Sequence, residues 1–250
     1  MMQRGENYAC KYADKIVSIL PLANQHLETC GMAPKKFVHV PNGINIDEWK
    51  NNAVELPSEH HAFLKEHQDS FLVGYAGSHG LANALHYLVN AAPMLKDKKI
   101  IIVLVGQGPE KGNLIKQAKE LKANNIFFLP PIPKIYIPLW LSSLDCLVMT
   151  AMRSKLCQYG ISLNKIFDYM MSGQPILNAI EAGNDPVKEA GCGLSVEAEN
   201  PEAIAKGILK IYNMTAEERH DMGEKGKQYV LQRHTYPILA TSFLQAMEER

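Results

Sequence analysis

The feature that most restricts how this chain can fold is an alternation that runs its whole length, in which short β-branched, wholly apolar runs take turns with segments of helical period. Eight runs read as strands, at residues 15–20, 37–40, 72–76, 100–105, 126–128, 146–149, 175–178 and 194–196. Most are apolar throughout, as expected when helices cover both faces of a sheet; a half-solvated antiparallel sheet would alternate. Helical segments fall between and after them, at 22–30, 83–95, 109–121, 138–144, 163–171, 201–212, 216–233 and 237–249. Several carry start signals: Thr215 with Glu218 makes a capping box, and Asn200 precedes a proline at the first helical position. This pattern predicts βαβ units and an α/β fold built on a doubly wound, Rossmann-like parallel sheet.

Two stretches read as boundaries. Pro41-Asn42-Gly43 is a turn signal, and residues 49–61 (WKNNAVELPSEHH) are polar and aperiodic. The expectation is a lead-in at 1–45, a main domain at 46–235 and a last helix at 236–250 that stands apart. The longest apolar run, 100–105, is strand length and far too short to cross a bilayer. Residues 1–14 carry scattered charge and no apolar stretch of the secretory kind.

Composition narrows the partners. The 26 basic residues cancel the 26 acidic ones, so no whole-molecule field draws nucleic acid or anionic lipid, and membrane contact is expected to be peripheral at most. Five cysteines, at 10, 30, 146, 157 and 192, are odd in number and none lies in a C-x-x-C pair, which speaks against a disulfide scaffold or a zinc ribbon. They read as small apolar residues in a reducing cytoplasm. His60 and His61 are adjacent, so their imidazoles do not share a face, and no metal or other cofactor is expected.

In a doubly wound sheet the ligand sits outside the carboxyl ends of the strands. After the run 72–76 comes Gly77-Ser78-His79-Gly80, with Gly74 inside the strand, where backbone can come close to a ligand and Ser78 and His79 can point at it. After 100–105 comes Gly106-Gln107-Gly108-Pro109, with Gly112 beyond; the spacing misses the third glycine of a dinucleotide fingerprint, and no acidic residue follows at a second strand end. The richest stretch is RSKLCQYGISLNKIFDYMMSGQP, from Arg153 to Pro175. Arg153, Lys155 and Gly160 lead into a helix whose first turn holds Ser162, Asn164 and Lys165, with Asp168 one turn on. Amides, helix dipole and cations together suit the diphosphate of a nucleotide, and a carboxylate one turn further can accept two ribose hydroxyls. The same residues also fit an exposed i, i+3 ion pair.

The run F-D-Y-M-M-S-G-Q-P-I, with A-D-K-I-V, V-P-N-G-I-N, V-G-Q-G-P and L-D-C-L-V upstream, resembles the C-terminal half of family-4 glycosyltransferases of the two-domain GT-B kind. Within that family, G-I-S-x-N-K-x-F-D-Y-M resembles the branch that transfers N-acetylated amino sugars in bacterial surface-polysaccharide synthesis. The resemblance implies a retaining sugar transfer from a nucleotide sugar, here a UDP sugar, to a saccharide or lipid-linked acceptor. It implies a cytoplasmic site, or one at the inner face of the membrane. The family closes two domains around the donor, and residues 6–49 resemble only the end of the first, so a missing N-terminal half or a partner chain is implied.

Carried over by position, the family's E-x7-E motif puts its ribose-binding carboxylate at Asp168 and its first carboxylate at Gly160, where this chain has none. The diphosphate-holding helix start falls on Ser162, Leu163 and Asn164, with leucine in place of the usual glycine. The family's phosphate-binding Arg and Lys fall near 77–84, where this chain has Ser78, His79, Leu81 and Asn83. Lys165, helped by Arg153 or Lys155, is therefore expected to meet the diphosphate, with His79 as a hydrogen-bond donor beside it; Lys165 and His79 are the catalytic candidates. Gly77 and Gly106 would bring backbone to the donor, and the base would lie against 129–133, with Pro131 and Ile132. Two other readings stay open: a non-catalytic nucleotide-binding module, and a GT-B-like nucleotide-sugar epimerase or interaction domain.

Overall fold

The computed structural model describes residues 2–50 and 55–248. Chain order is α1 (Met2–Tyr12), β1 (Ile16–Ser18), α2 (Asn24–Thr29), β2 (Phe37–His39), α3 (Ser58–Glu66), β3 (Phe71–Ala76), α4 (Leu85–Ala91), β4 (Ile100–Val105), α5 (Lys111–Glu120), β5 (Ile126–Leu129), α6 (Ile137–Ser142), β6 (Cys146–Thr150), α7 (Asn164–Met171), β7 (Ile176–Ala179), α8 (Pro186–Ala190), β8 (Gly193–Ser195), α9 (Pro201–Tyr212), α10 (Ala216–Arg233) and α11 (Tyr236–Glu248).

Six strands form one all-parallel sheet in the order β5-β4-β3-β6-β7-β8. That is the doubly wound arrangement, and its topological switch point lies between β3 and β6. Continuous apolarity has the expected cause. Val73, Tyr75, Ile102 and Leu104 face a layer from α4, α5 and α9, while Leu72, Ala76, Val103 and Val105 face Trp140, Ile166, Phe167 and Val230 of α6, α7 and α10. Each fully buried Leu or Ile in these layers contributes about 1.5 to 3 kcal/mol.

All eight sequence-read strands are present. Among the described residues three helices escaped the periodicity: α1, α8 and α3, the last beginning inside the stretch read as aperiodic. His60 and Phe63 of α3 are buried, and a ring contact at 5.2 Å sets His60 edge-on to Trp140. The polar neighbours of those two residues hid the buried stripe. Residues 51–54 of that stretch and 249–250 of the last helix lie outside the described residues.

The strands β1 and β2 make a separate parallel pair. The chain then crosses at Ile44, which bridges to Thr235 in parallel and exchanges backbone hydrogen bonds with His234 and Tyr236. Among the described residues no helix is long and apolar enough to cross a membrane.

Candidate functional site

At the carboxyl ends of β3 and β4, beside the switch point, a cleft of about 290 Å³ opens. This is at the lower edge of the roughly 300 to 1,000 Å³ of small-molecule sites. Its walls are the backbone at Gly77, Ser78 and Gly106, the apolar side chains of Pro131, Ile132, Ile137 and Leu141, and one face of α7.

The sheet sets that face. Tyr169, fully buried, donates its hydroxyl hydrogen to Ala76 O at 3.2 Å and accepts from Ala76 N–H at 2.7 Å, which fixes α7 to the end of β3. Ile166, Phe167, Met170 and Met171 enter the core. Lys165 and Asp168, three residues apart on the other face, line the cleft. No side chain caps the helix start at Leu163.

Lys165 Nζ donates to Tyr75 Oη at 2.8 Å and to Asn83 Oδ1 at 2.7 Å, and sits 4.6 Å from the centre of the Tyr75 ring. Each acceptor is held in turn: Tyr75 Oη donates to Ser78 O at 2.8 Å, Asn83 Nδ2 donates to the same carbonyl at 2.9 Å, and Thr150 Oγ1 donates to Asn83 O at 2.5 Å. These partners are neutral, and burial pulls the Lys165 ammonium down to about 8. Asp168 is pushed up to about 6, chiefly by burial; Glu48 pushes the same way, while Lys134 and a side-chain hydrogen bond from Trp49 oppose it. Lys134 and Glu48 pair at 2.6 Å.

The loops after β3 and β4 lie back to back. Gly106 has φ 150°, and a Cβ there would stand 1.9 Å from Gly77 O, so only glycine fits. Gly74, expected to admit a ligand, is bare for another reason: its α-carbon receives Leu144.

The structure brings together Gly77, Ser78, Gly106, Pro131, Ile132, Lys165 and Asp168, and disperses the other candidates. His79 is a correction: it is fully buried beneath the loop, and neither ring nitrogen has a hydrogen-bond partner among the described residues. Burial, with Lys111 and Lys165 close by, pulls it down to about 4, so it stays neutral, and it does not line the cleft. Arg153 is another: it pairs with Glu181 at 2.8 Å, Glu197 at 3.3 Å and Glu199 at 3.8 Å. Lys155 is exposed in the short turn Lys155–Tyr159. Ser162 Oγ accepts from Asn42 N–H at 2.8 Å and its carbonyl accepts from the Asn42 amide, so it fastens the crossing chain. Leu163 packs against the core and Asn164 is exposed at the helix start. Gly160, at φ 99°, has Pro21 against its α-carbon, where a side chain would collide.

Sequence reasoning missed Tyr75, Trp49 and Lys134. Tyr75 left a signal, a phenol one residue before the end of an apolar strand. Trp49 and Lys134 left none, since they reach Asp168 from separate segments.

Residues 58–229 match the family model described as "Glycosyl transferases group 1". Over 192 residues the chain is 25% identical to the "Putative colanic acid biosynthesis glycosyl transferase WcaI" of Escherichia coli (strain K12), covering 71% of this chain and 44% of that protein, so it spans less than half the length of that relative. The fold is similar to Anabaena Alr3699/HepE in complex with UDP and glucose, with TM-score 0.77 and 16% identity over 100% of this chain and 68% of that one. It is also similar to a glycosyltransferase from Rickettsia africae, with TM-score 0.78 and 16% identity over 99% and 68%.

Proposed function

We propose that this chain, which belongs to the group 1 glycosyl transferases, is the donor-binding half of an enzyme that takes a sugar from a UDP sugar, with retention, and passes it to a saccharide or lipid-linked acceptor of a bacterial surface polysaccharide. The observation that carries the reading is the pairing of Lys165 and Asp168 on one face of α7, inside a cleft at the sheet's switch point. Diphosphate would rest at the start of α7, where uncapped amides and the helix dipole favour negative charge and the Lys165 ammonium meets it without a competing carboxylate. Asp168 would accept the ribose hydroxyls, and the base would lie against Pro131, Ile132 and Ile137. As the sugar departs, charge grows on the diphosphate, and Lys165 with the helix start would stabilise it. The acceptor and much of the water exclusion would come from an N-terminal half or a partner chain, which fits a cleft at the small end of the ligand range. The WcaI likeness supports the polysaccharide context, and the UDP-bound HepE fold supports the donor class. The reaction would run in the cytoplasm, at the inner membrane face for a lipid-linked acceptor.

UDP should raise the melting temperature of the chain, and a ligand at a hundred times its Kd stabilises by about 2.7 kcal/mol. No shift with millimolar UDP or UDP sugars would sink the donor assignment. A second reading, a nucleotide-binding module without catalysis, draws on Gly160 standing where the family has its first carboxylate. Sugar transfer assayed with a supplied N-terminal half separates the two.

A further inference from the structure

Away from the cleft, the densest group of soft ligand atoms among the described residues lies where α1 meets α2. Glu6 and Cys10 are four residues apart on α1, and His26 and Cys30 are four apart on α2 and its C-terminal cap, so each pair shares one helix face. The two faces meet. His26 Nε2 is 2.9 Å from Glu6 Oε1 and 3.6 Å from Cys30 Sγ, and one ligand atom from each of Glu6, His26 and Cys30 lies within 4.8 Å of the others. The Cys10 thiol stands outside this group, next to Cys30, and the two cysteines are 2% and 5% exposed beside Met32. Glu6 and His26 are half-exposed, so the cluster has a dry inner wall and an outer side open to an entering ion.

Zinc bonds of about 2.3 Å to sulfur and 2.0 to 2.1 Å to nitrogen or oxygen place tetrahedral ligand atoms roughly 3.3 to 3.8 Å apart. The 3.6 Å edge between His26 and Cys30 already has that length. The shorter contact between Glu6 and His26 is a hydrogen bond that a cation would replace. An outer partner is in place as well: Gln3 Nε2 donates to Glu6 Oε2 at 3.2 Å and to Cys30 Sγ at 3.6 Å, which suits a carboxylate and a thiolate bound to metal. A thiolate and an imidazole favour zinc over magnesium or calcium.

We propose that Glu6, His26 and Cys30 hold a zinc ion, with solvent in the fourth position, at a site that clasps α1 to α2. Cys30 binds as a thiolate, and its proton passes to solvent. The clasp has a reach beyond the two helices. The His26 ring is 5.8 Å from Tyr159, and Leu22 N–H donates to Tyr159 O at 3.0 Å, so the fastened pair abuts the turn that leads through Gly160 into α7.

The test is a zinc titration of the reduced, chelator-treated chain, with metal analysis, melting temperature and the visible spectrum of the cobalt form. One zinc per chain, a raised melting temperature and a cobalt spectrum with thiolate charge-transfer bands are expected. Gln3→Ala should weaken zinc by about 10- to 100-fold, and His26→Ala or Glu6→Gln by more. Cys157→Ser should bind as the parent does. The proposal is overturned if the Cys30 thiol stays free with no stoichiometric zinc, if a disulfide between Cys10 and Cys30 is the sole product in the presence of zinc, or if affinity is unchanged in His26→Ala and Glu6→Gln. Those two variants alter partly exposed residues, so they decide the matter even where Cys30→Ser fails to fold.

Discussion

Lys165 and Arg153 come from the same stretch of chain and read alike as cations for a diphosphate, yet the fold gives them opposite fates. Lys165 leans on a phenol and an amide, is half-buried, and holds its proton weakly; Arg153 lies in the open among three glutamates, which hold its charge firmly in place. A cation with neutral partners keeps its charge available to an incoming anion, while one enclosed by carboxylates is already neutralised. Charge near a helix start is therefore a poor guide to an anion site unless the partners of that charge are known.

The largest effects that would break the contrast lie on α7. Lys165→Ala should lower UDP affinity by about 1.5 to 3 kcal/mol and leave uridine within about twofold, because only UDP carries the charge in question. Asp168→Asn should cost UDP and uridine alike, by about 1.5 to 3 kcal/mol, with the melting temperature nearly unchanged. Calorimetric titration of both ligands against both variants checks the pair; equal losses for Lys165→Ala on UDP and uridine would remove Lys165 from the diphosphate.

The acid stability of the loop comes next. His79 is neutral in the fold down to about pH 4 but takes a proton near 6.5 when unfolded. Its contribution is complete above about pH 6.5 and is lost as pH falls through about 4, by about 1 to 3 kcal/mol. Denaturant melts of the parent and of His79→Gln across that window should converge as the pH drops; parallel curves would refute the neutral packing role.

A smaller effect appears in binding. As pH rises above about 8 the free Lys165 loses its proton, and UDP affinity should then fall by up to about tenfold per unit. Below about 6 Asp168 becomes protonated and the ribose contact weakens. Lys165→Ala should abolish the alkaline limb only. The smallest expected effect is that of Arg153→Ala, which should leave UDP affinity within about twofold, since its charge is met by Glu181, Glu197 and Glu199. A drop comparable to that of Lys165→Ala would erase the comparison.

Much of this was legible in the chain. The runs at 72–76, 100–105 and 146–149 announced buried parallel strands because apolarity on both faces is a local property of the sequence, and the turns after them named Gly77, Ser78 and Gly106 as cleft backbone. The α3 stripe of His60 and Phe63 was not legible, since two buried residues in nine leave no period to read. Nor was the meeting of Glu6 with His26 and Cys30, for the latter pair is a bare i, i+4 spacing until two helices face each other.

By itself the sequence determined the strands, the order of alternation and the helix that presents Lys165 and Asp168, all of them consequences of side-chain period and capping within a few residues. Only the tertiary structure decided that His79 is buried below the site, that Arg153 is matched by glutamates, and that Trp49 and Lys134 reach Asp168. Those outcomes depend on which distant segments the parallel sheet brings side by side, and no local pattern encodes the identity of a neighbour supplied from elsewhere in the chain.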